Sequence, residues 1–245
     1  MTLLDWGVGL LRPYEFRGKG RVLHRLAPWS GVRRARVFGA WMDLDLSDWI
    51  QRCIYLGCMG PYEVGAARRC LRTGGVMVDV GANVGFFTLY ARICFPNSVI
   101  HSYEPNARLA PFLNHQASLA KARVFFEAVG KENRKINLSQ GSDSVLARSV
   151  PDTQGEIPQT AFSETVRRIG GKVDLVKLDC EGAEWSILQD REAWENVGHL
   201  TMEYHLFERQ QTHEEIARMV EAAGFTINFQ KRDPNGGFIY ASNKA

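Results

Sequence analysis

What the 245-residue chain lacks narrows the field before any motif is read. No apolar run approaches the roughly 20 residues that a membrane-spanning helix needs. The five cysteines, at 53, 58, 70, 94 and 180, form no CxxC pair, which speaks against a zinc ribbon or a disulfide framework. No internal repeat or low-complexity stretch appears, so solenoid and disordered classes fall away. The opening residues Met1 to Leu11 lack the basic lead and small-residue cleavage site of a secretory leader, and a cytoplasmic location is the expectation. Neither sign of charge dominates, since the net charge is only +3.

What is present is ordinary for a globular domain: 45% hydrophobic and 23% charged residues, in a length that suits one α/β domain with an extension. The charge is uneven. Residues 1–36 hold Arg12, Arg17, Lys19, Arg21, Arg25, Arg33, Arg34 and Arg36 against only Asp5 and Glu15. Such an arm can meet an anionic partner, although a solvated arm is the favoured reading. Aromatic residues are not interleaved as in a single-strand binding platform, so no nucleic-acid partner is expected. Leu3, Leu4, Trp6, Val8, Leu10 and Leu11 fit a short helix packed on the domain, with peripheral membrane contact as the alternative. The division expected is a basic extension at 1–42, broken by Pro13, Gly18, Gly20, Pro28 and Gly31, and a domain at 43–245.

After helical character from Asp48 to Arg72, interrupted near Gly57–Pro61, apolar strands begin to alternate with helices. Strands are predicted at Val76–Val80, Val99–Tyr103, Val124–Val129, Val173–Leu178 and His199–Tyr204. Helices are predicted at Phe86–Phe95, Ala107–Ala120, Phe162–Ile169, Ala183–Gln189 and Thr212–Ala223. Residues 130–159 read as an irregular excursion with β character at Lys135–Leu138, and Phe225–Gln230 with Phe238–Ser242 as a terminal hairpin. This order implies an α/β fold: a Rossmann-like, mostly parallel seven-stranded sheet with helices on both faces and a C-terminal antiparallel hairpin.

Three segments carry chemistry. The first is Asp79-Val80-Gly81-Ala82-Asn83-Val84-Gly85, between a strand and a helix. Gly81 permits a sharp turn and close ligand approach, and Gly85 is expected to let the helix pack close to the strand. Asn83 stands where a dinucleotide fingerprint needs its second glycine, so a pyrophosphate cofactor is disfavoured. S-adenosylmethionine has no pyrophosphate, and Asp79 suits the amino-acid end of this cationic sulfonium ligand. The second is Glu104-Pro105, at the end of the next strand, where a carboxylate can accept both ribose hydroxyls. The third is the strand leading to Asp179, Cys180 and Glu181, matched by a later strand ending in Glu203 and His205. Asp179, Glu181, Glu203 and His205 are the candidate catalytic residues, because crowded carboxylates and a histidine can provide a base for a hydroxyl group. Cys180 is expected to be a small filler, and Lys177 to pair with a carboxylate.

These motifs together, with Asp48-Trp49-Ile50-Gln51-Arg52, Tyr55, Gly57, Tyr62 and Glu63 upstream, resemble the FkbM family of methyltransferases over roughly residues 43–207. The resemblance implies a class I methyltransferase fold and methyl transfer from S-adenosylmethionine, mainly to oxygen on small metabolites, sugars or glycans. Glu104 would hold the ribose and Gly81, Asn83 and Asp79 the methionine portion, Glu63 would close that end, and Gly85 and Pro105 complete the cofactor-binding set. His205 or Glu181 would act as base, with no metal ligand assigned. The family usually shows Thr-Leu-Asp before the Asp179 strand, where this chain has Thr160-Ala161-Phe162-Ser163. Two other readings stay open: divalent-metal-assisted O-methylation on the same carboxylates and histidine, and a non-catalytic binding module of methyltransferase-like fold.

Overall fold

The computed structural model describes residues 19–26, 30–59, 61–139, 149–151 and 155–243, with single positions 8, 10 and 14. The helix expected over Met1 to Leu11 therefore lies outside the described residues, Val8 and Leu10 excepted. Two compact units emerge, residues 1–60 with 142–145, and residues 61–141 with 146–245.

The first unit contains α1 (Lys19–Leu26), β1 (Val32–Val37), β2 (Ala40–Asp45) and α2 (Trp49–Leu56). The hairpin was not foreseen in a stretch expected to be broken into short pieces, and Gly20 sits inside α1. Phe38 and Gly39 both take positive φ at the turn, which brings Val37 opposite Ala40. Leu23, Met42, Leu44, Leu46, Ile54 and Leu56 are buried within this unit. Asp48 caps α2 by accepting from the Gln51 N–H, and Gly57 ends it in the left-handed region.

The second unit begins with α3 (Pro61–Cys70) and runs through β3 (Val76–Val80), α4 (Phe86–Cys94), β4 (Val99–Tyr103), a 3₁₀ turn and α5 (Ala110–Ala120). Next come β5 (Arg123–Phe125), β6 (Ala128–Gly130), β7 (Arg134–Leu138), β8 (Ser149–Pro151), β9 (Ile157–Ala161) and α6 (Phe162–Arg168). The chain closes with β10 (Val173–Leu178), α7 (Glu184–Ile187), α8 (Arg191–Trp194), β11 (Val197–His205), α9 (His213–Ala222), β12 (Phe225–Asp233) and β13 (Gly236–Asn243).

Seven strands form one sheet in the order β12-β13-β11-β10-β3-β4-β5. Every pair from β11 to β5 is parallel, and β13 joins β11 and β12 antiparallel. The expected sheet and terminal hairpin are therefore present. From β3 the chain winds outward through β4 to β5, then returns to place β10 and β11 on the other side of β3. Right-handed crossovers then put α4 and α5 on one face and α7 and α8 on the other. On the latter face Val78, Val80, Val176, Leu178, Met202, Tyr204 and Ile239 share one core with Ile216 and Val220 of α9 and with Trp194 of α8.

Two expectations need correction. Val124–Val129 is not one strand: β5 belongs to the large sheet and β6 to a second sheet of order β6-β9-β7-β8. Between them Glu127 accepts from Thr160 and pairs with Arg168 at 2.9 Å, which holds the chain off the first sheet. The segment 130–159 is accordingly organised, with β7 antiparallel to both β8 and β9. The change at Ala161–Ser163 also has a local consequence. No side chain at Ala161 caps α6, and the Ser163 N–H instead donates to Asp190 at 2.9 Å.

Candidate functional site

The winding reverses between β3 and β10, so the loops at their carboxyl ends diverge to opposite faces and leave a crevice there. Gly81, directly after β3, has φ 75°, and a Cβ at that position would lie 1.7 Å from the Asp179 carbonyl oxygen. The glycine is therefore required by the chain's own β10 end, beyond any need for a ligand to approach. Lys177 straps the same turn. Its ammonium donates to the Gly81 carbonyl at 2.7 Å and lies 3.4 Å from Asp79 and 3.8 Å from Asp179.

Asp79 is fully buried, and its second oxygen accepts from Thr88 of α4 at 2.7 Å. Expected to seat a ligand, it lies instead beneath the turn, between Thr88 and Lys177. Gly85 likewise departs from expectation. It is the left-handed residue before α4, and a Cβ there would press on Gln116 and Leu113 of α5 rather than on the strand. Asn83 takes φ 50°, its side chain accepts from the Val84 N–H, and its own N–H donates to Glu104 at 2.9 Å.

Glu104 is the sharpest feature of the crevice. One carboxylate oxygen accepts from Asn83 and the other from Asn106, both at 2.9 Å. The group is only 7% exposed, and burial pushes its pKa up from 4.5 to about 7 against the opposing pull of those two N–H groups. Pro105 follows at the strand end, half-buried. Glu63 falls within α3, and its side chain lies outside the described residues.

On the other side of Gly81, the β10 loop turns at Glu181, which takes φ 53°, and Gly182, φ 103°. Glu184, fully buried, closes this loop by accepting from the N–H groups of Cys180 and Gly182, both at 2.9 Å. The sequence reading passed over Glu184, although its position at the start of α7 is a signal for a carboxylate acting on backbone N–H groups. His205, at the end of β11, sits 3.6 Å from Glu181 and 3.8 Å from Glu184. Burial alone would lower its pKa, but Glu184, Glu181 and Asp179 outweigh that and raise it to about 9. Phe207 stacks on its ring at 5.2 Å, and Trp185 donates to its carbonyl at 2.9 Å. Ligand atoms of Asp179, Glu181 and His205 all lie within 4.8 Å of one another. Glu203 is exposed, two residues earlier on the same face of β11. Cys180 is a packing residue as expected, its thiol pushed well up by burial and then by Glu184.

A doubly wound sheet with a glycine turn after β3, a carboxylate after β4 and a terminal antiparallel hairpin is the arrangement of class I methyltransferases. Residues 79–227, more than half of the chain, match the methyltransferase FkbM domain. The chain is 26% identical over 206 residues to 31-O-demethyl-FK506 methyltransferase FkbM of Streptomyces tacrolimicus, covering 67% of this chain and 77% of that protein. It is 25% identical over 189 residues to Methyltransferase 1 of Beauveria bassiana, covering 64% of this chain and 74% of that protein. The structure of Aeropyrum pernix fibrillarin with S-adenosyl-L-methionine is 13% identical with a TM-score of 0.49, covering 88% of this chain and 84% of that one. The chain belongs to the FkbM methyltransferase family. It is a methyltransferase, and S-adenosylmethionine is the cofactor that goes with this family. No helix among the described residues is long and apolar enough to cross a membrane.

Proposed function

We propose that the chain methylates a hydroxyl group on a small metabolite, sugar or glycan. The observation that carries this reading is the succession of groups along the sheet's carboxyl edge: Glu104, the Gly81–Asn83 turn, then Asp179 with Glu181 and His205. When bound, S-adenosylmethionine supplies an electrophilic methyl group on a sulfonium. The residues fit it. Each Glu104 oxygen has taken one backbone N–H and keeps a lone pair, which suits the two hydroxyls of a ribose. Gly81 and Asn83 would seat the methionine portion, with Asp179 at the sulfonium end. Asp79 and Gly85 act through others: the first anchors Lys177 under the turn, and the second lets α4 meet α5.

In-line displacement depends first on alignment of donor and acceptor. The hydroxyl proton needs a base at the end of β10 or β11. His205 already holds a proton at neutral pH, so Glu181 is the better acceptor, with His205 holding it in place. Calorimetric titration with S-adenosylmethionine, S-adenosylhomocysteine and NAD tests the cofactor, followed by transfer of labelled methyl to hydroxylated acceptors. Binding of both sulfur nucleotides and oxygen-linked label are expected. Binding of NAD alone, or label found only on nitrogen, overturns the reading.

A second reading has its own support in the close set of Asp179, Glu181 and His205. Two oxygen donors and one nitrogen suit a divalent cation, which would orient a vicinal diol for methylation. Turnover that survives exhaustive chelation excludes it.

A further inference from the structure

Resting on the O-methyltransferase reading above, we propose that Tyr62 and Phe229, backed by buried Phe238, form the shelf on which the acceptor docks, and that it takes an uncharged, hydroxylated ring stacked by its apolar face. Tyr62 of α3 lies 5.9 Å from Phe229 at 21° and 5.6 Å from Phe238 at 33°, and the two phenylalanines are 6.2 Å apart. Tyr62 and Phe229 are 41% and 40% exposed, although ring pairs of this size in a core would be covered.

Strand register ties this shelf to the crevice. Leu178 pairs with Met202, so Asp179 comes beside Glu203; Glu203 pairs with Phe238, and Phe238 with Lys231. Alternation puts these side chains on the face opposite the Leu178, Met202 and Ile239 core. Phe238 is thus two strands from Asp179, on the order of 10 Å, which is the reach of one substituted ring.

The edges of the shelf are polar and balanced. Lys231 sits over the Tyr62 ring at 5.2 Å while its ammonium meets Asp233 at 2.9 Å, and Glu203 stands on the neighbouring strand. Among the described residues, one cation between two carboxylates gives no field for an anionic acceptor, but it does give donors and acceptors at the rim for ring hydroxyls. An aromatic shelf with a hydrogen-bonding rim selects a flat ring over a flexible polyol, which has no continuous apolar face and loses more rotamer freedom on binding.

Saturation-transfer NMR on the full chain with S-adenosylhomocysteine tests this, using methyl α-glucopyranoside, cyclohexane-1,2-diol and linear sorbitol as probes. Ring C–H protons of the first two should receive saturation and sorbitol should not; which of the two binds tighter separates a sugar from a carbocycle. Tyr62→Ala and Phe229→Ala should each weaken ring binding about three- to tenfold, with S-adenosylhomocysteine affinity unchanged. Equal binding of sorbitol, absence of ring binding to the wild type, or a double variant that keeps wild-type ring affinity overturns the proposal. Failure of S-adenosylhomocysteine to bind would strike the cofactor reading alone, since the probes report on the shelf directly.

Discussion

If Glu104 holds the ribose as proposed, cofactor binding is a proton-linked event. In the free protein burial raises its pKa to about 7, because the neutral acid is easier to keep in that crevice than the carboxylate. Two ribose hydroxyls donating to the group would favour the ionised form, so its pKa would fall on binding and a proton would be released near neutrality. At pH 6 about nine in ten free molecules carry the proton, and at pH 8 about one in ten. If the bound group is fully ionised, calorimetry in buffers of different ionisation enthalpy should find ~0.9 proton released at pH 6 and ~0.1 at pH 8. Apparent affinity should rise about tenfold across that interval, or ~1.4 kcal/mol.

Glu104→Gln has no proton to lose and should flatten the profile. Comparing the two proteins removes the contribution of the ligand's own amino group, which also titrates. Stability supplies an independent reading of the same group. A carboxyl whose folded pKa is raised from 4.5 to about 7 stabilises the fold fully below 4.5 and loses that contribution as pH rises through 7. The loss is worth about 3 kcal/mol at most in the cofactor-free protein, and it should be missing from Glu104→Gln. An identical pH slope of affinity in wild type and Glu104→Gln would refute the ribose assignment.

Three substitutions probe the scaffold around the turn. Gly81→Ala places a Cβ 1.7 Å from the Asp179 carbonyl at a positive φ, so a large fall in melting temperature is expected; an unchanged melt would show that the β3 and β10 ends are further apart. Lys177→Met strands buried Asp79 and should cost about 3–5 kcal/mol in denaturant titration, with much of the loss recovered in Asp79→Asn/Lys177→Met; no recovery would argue against the pair. Asp190→Ala removes the acceptor for the first turn of α6 and should cost about 1 kcal/mol, read from the same titration, whereas a neutral result would leave that turn capped by something else.

The core strands were legible because apolar runs bounded by turn residues have few other solutions. Val76–Val80, Val99–Tyr103 and Val173–Leu178 occupy the predicted residues. Where legibility failed, the deciding contact was distant in sequence. Nothing near Phe126 announces that the chain will leave the large sheet, because the departure is held by Thr160 and Arg168, 33 and 41 residues away from Glu127. The β1–β2 hairpin was missed for a different reason. Its Arg33, Arg34 and Arg36 read as a solvated arm, and only the pairing with β2 turns Ala35 and Val37 inward.

The same distinction runs through the site. Residue types were readable, but their partners were not, and partners decide which charges serve structure. Asp79 and Asp179 both end apolar runs and look equivalent in sequence, yet the residue register sets Asp79 against Lys177 on the adjacent strand. That leaves Asp79 committed beneath the turn, while Asp179 sits two residues beyond Lys177, a third exposed, beside Glu181 and His205. A one-residue shift between β3 and β10 would take Asp79 away from Lys177 and turn every side chain of the shifted strand to the other face. Gly81 resists that shift, because only a residue without a Cβ can pass the Asp179 carbonyl in this register. The glycine of the motif thus does two things at once: it opens the turn, and it admits the Asp179 carbonyl in the register that sets Asp79 against Lys177.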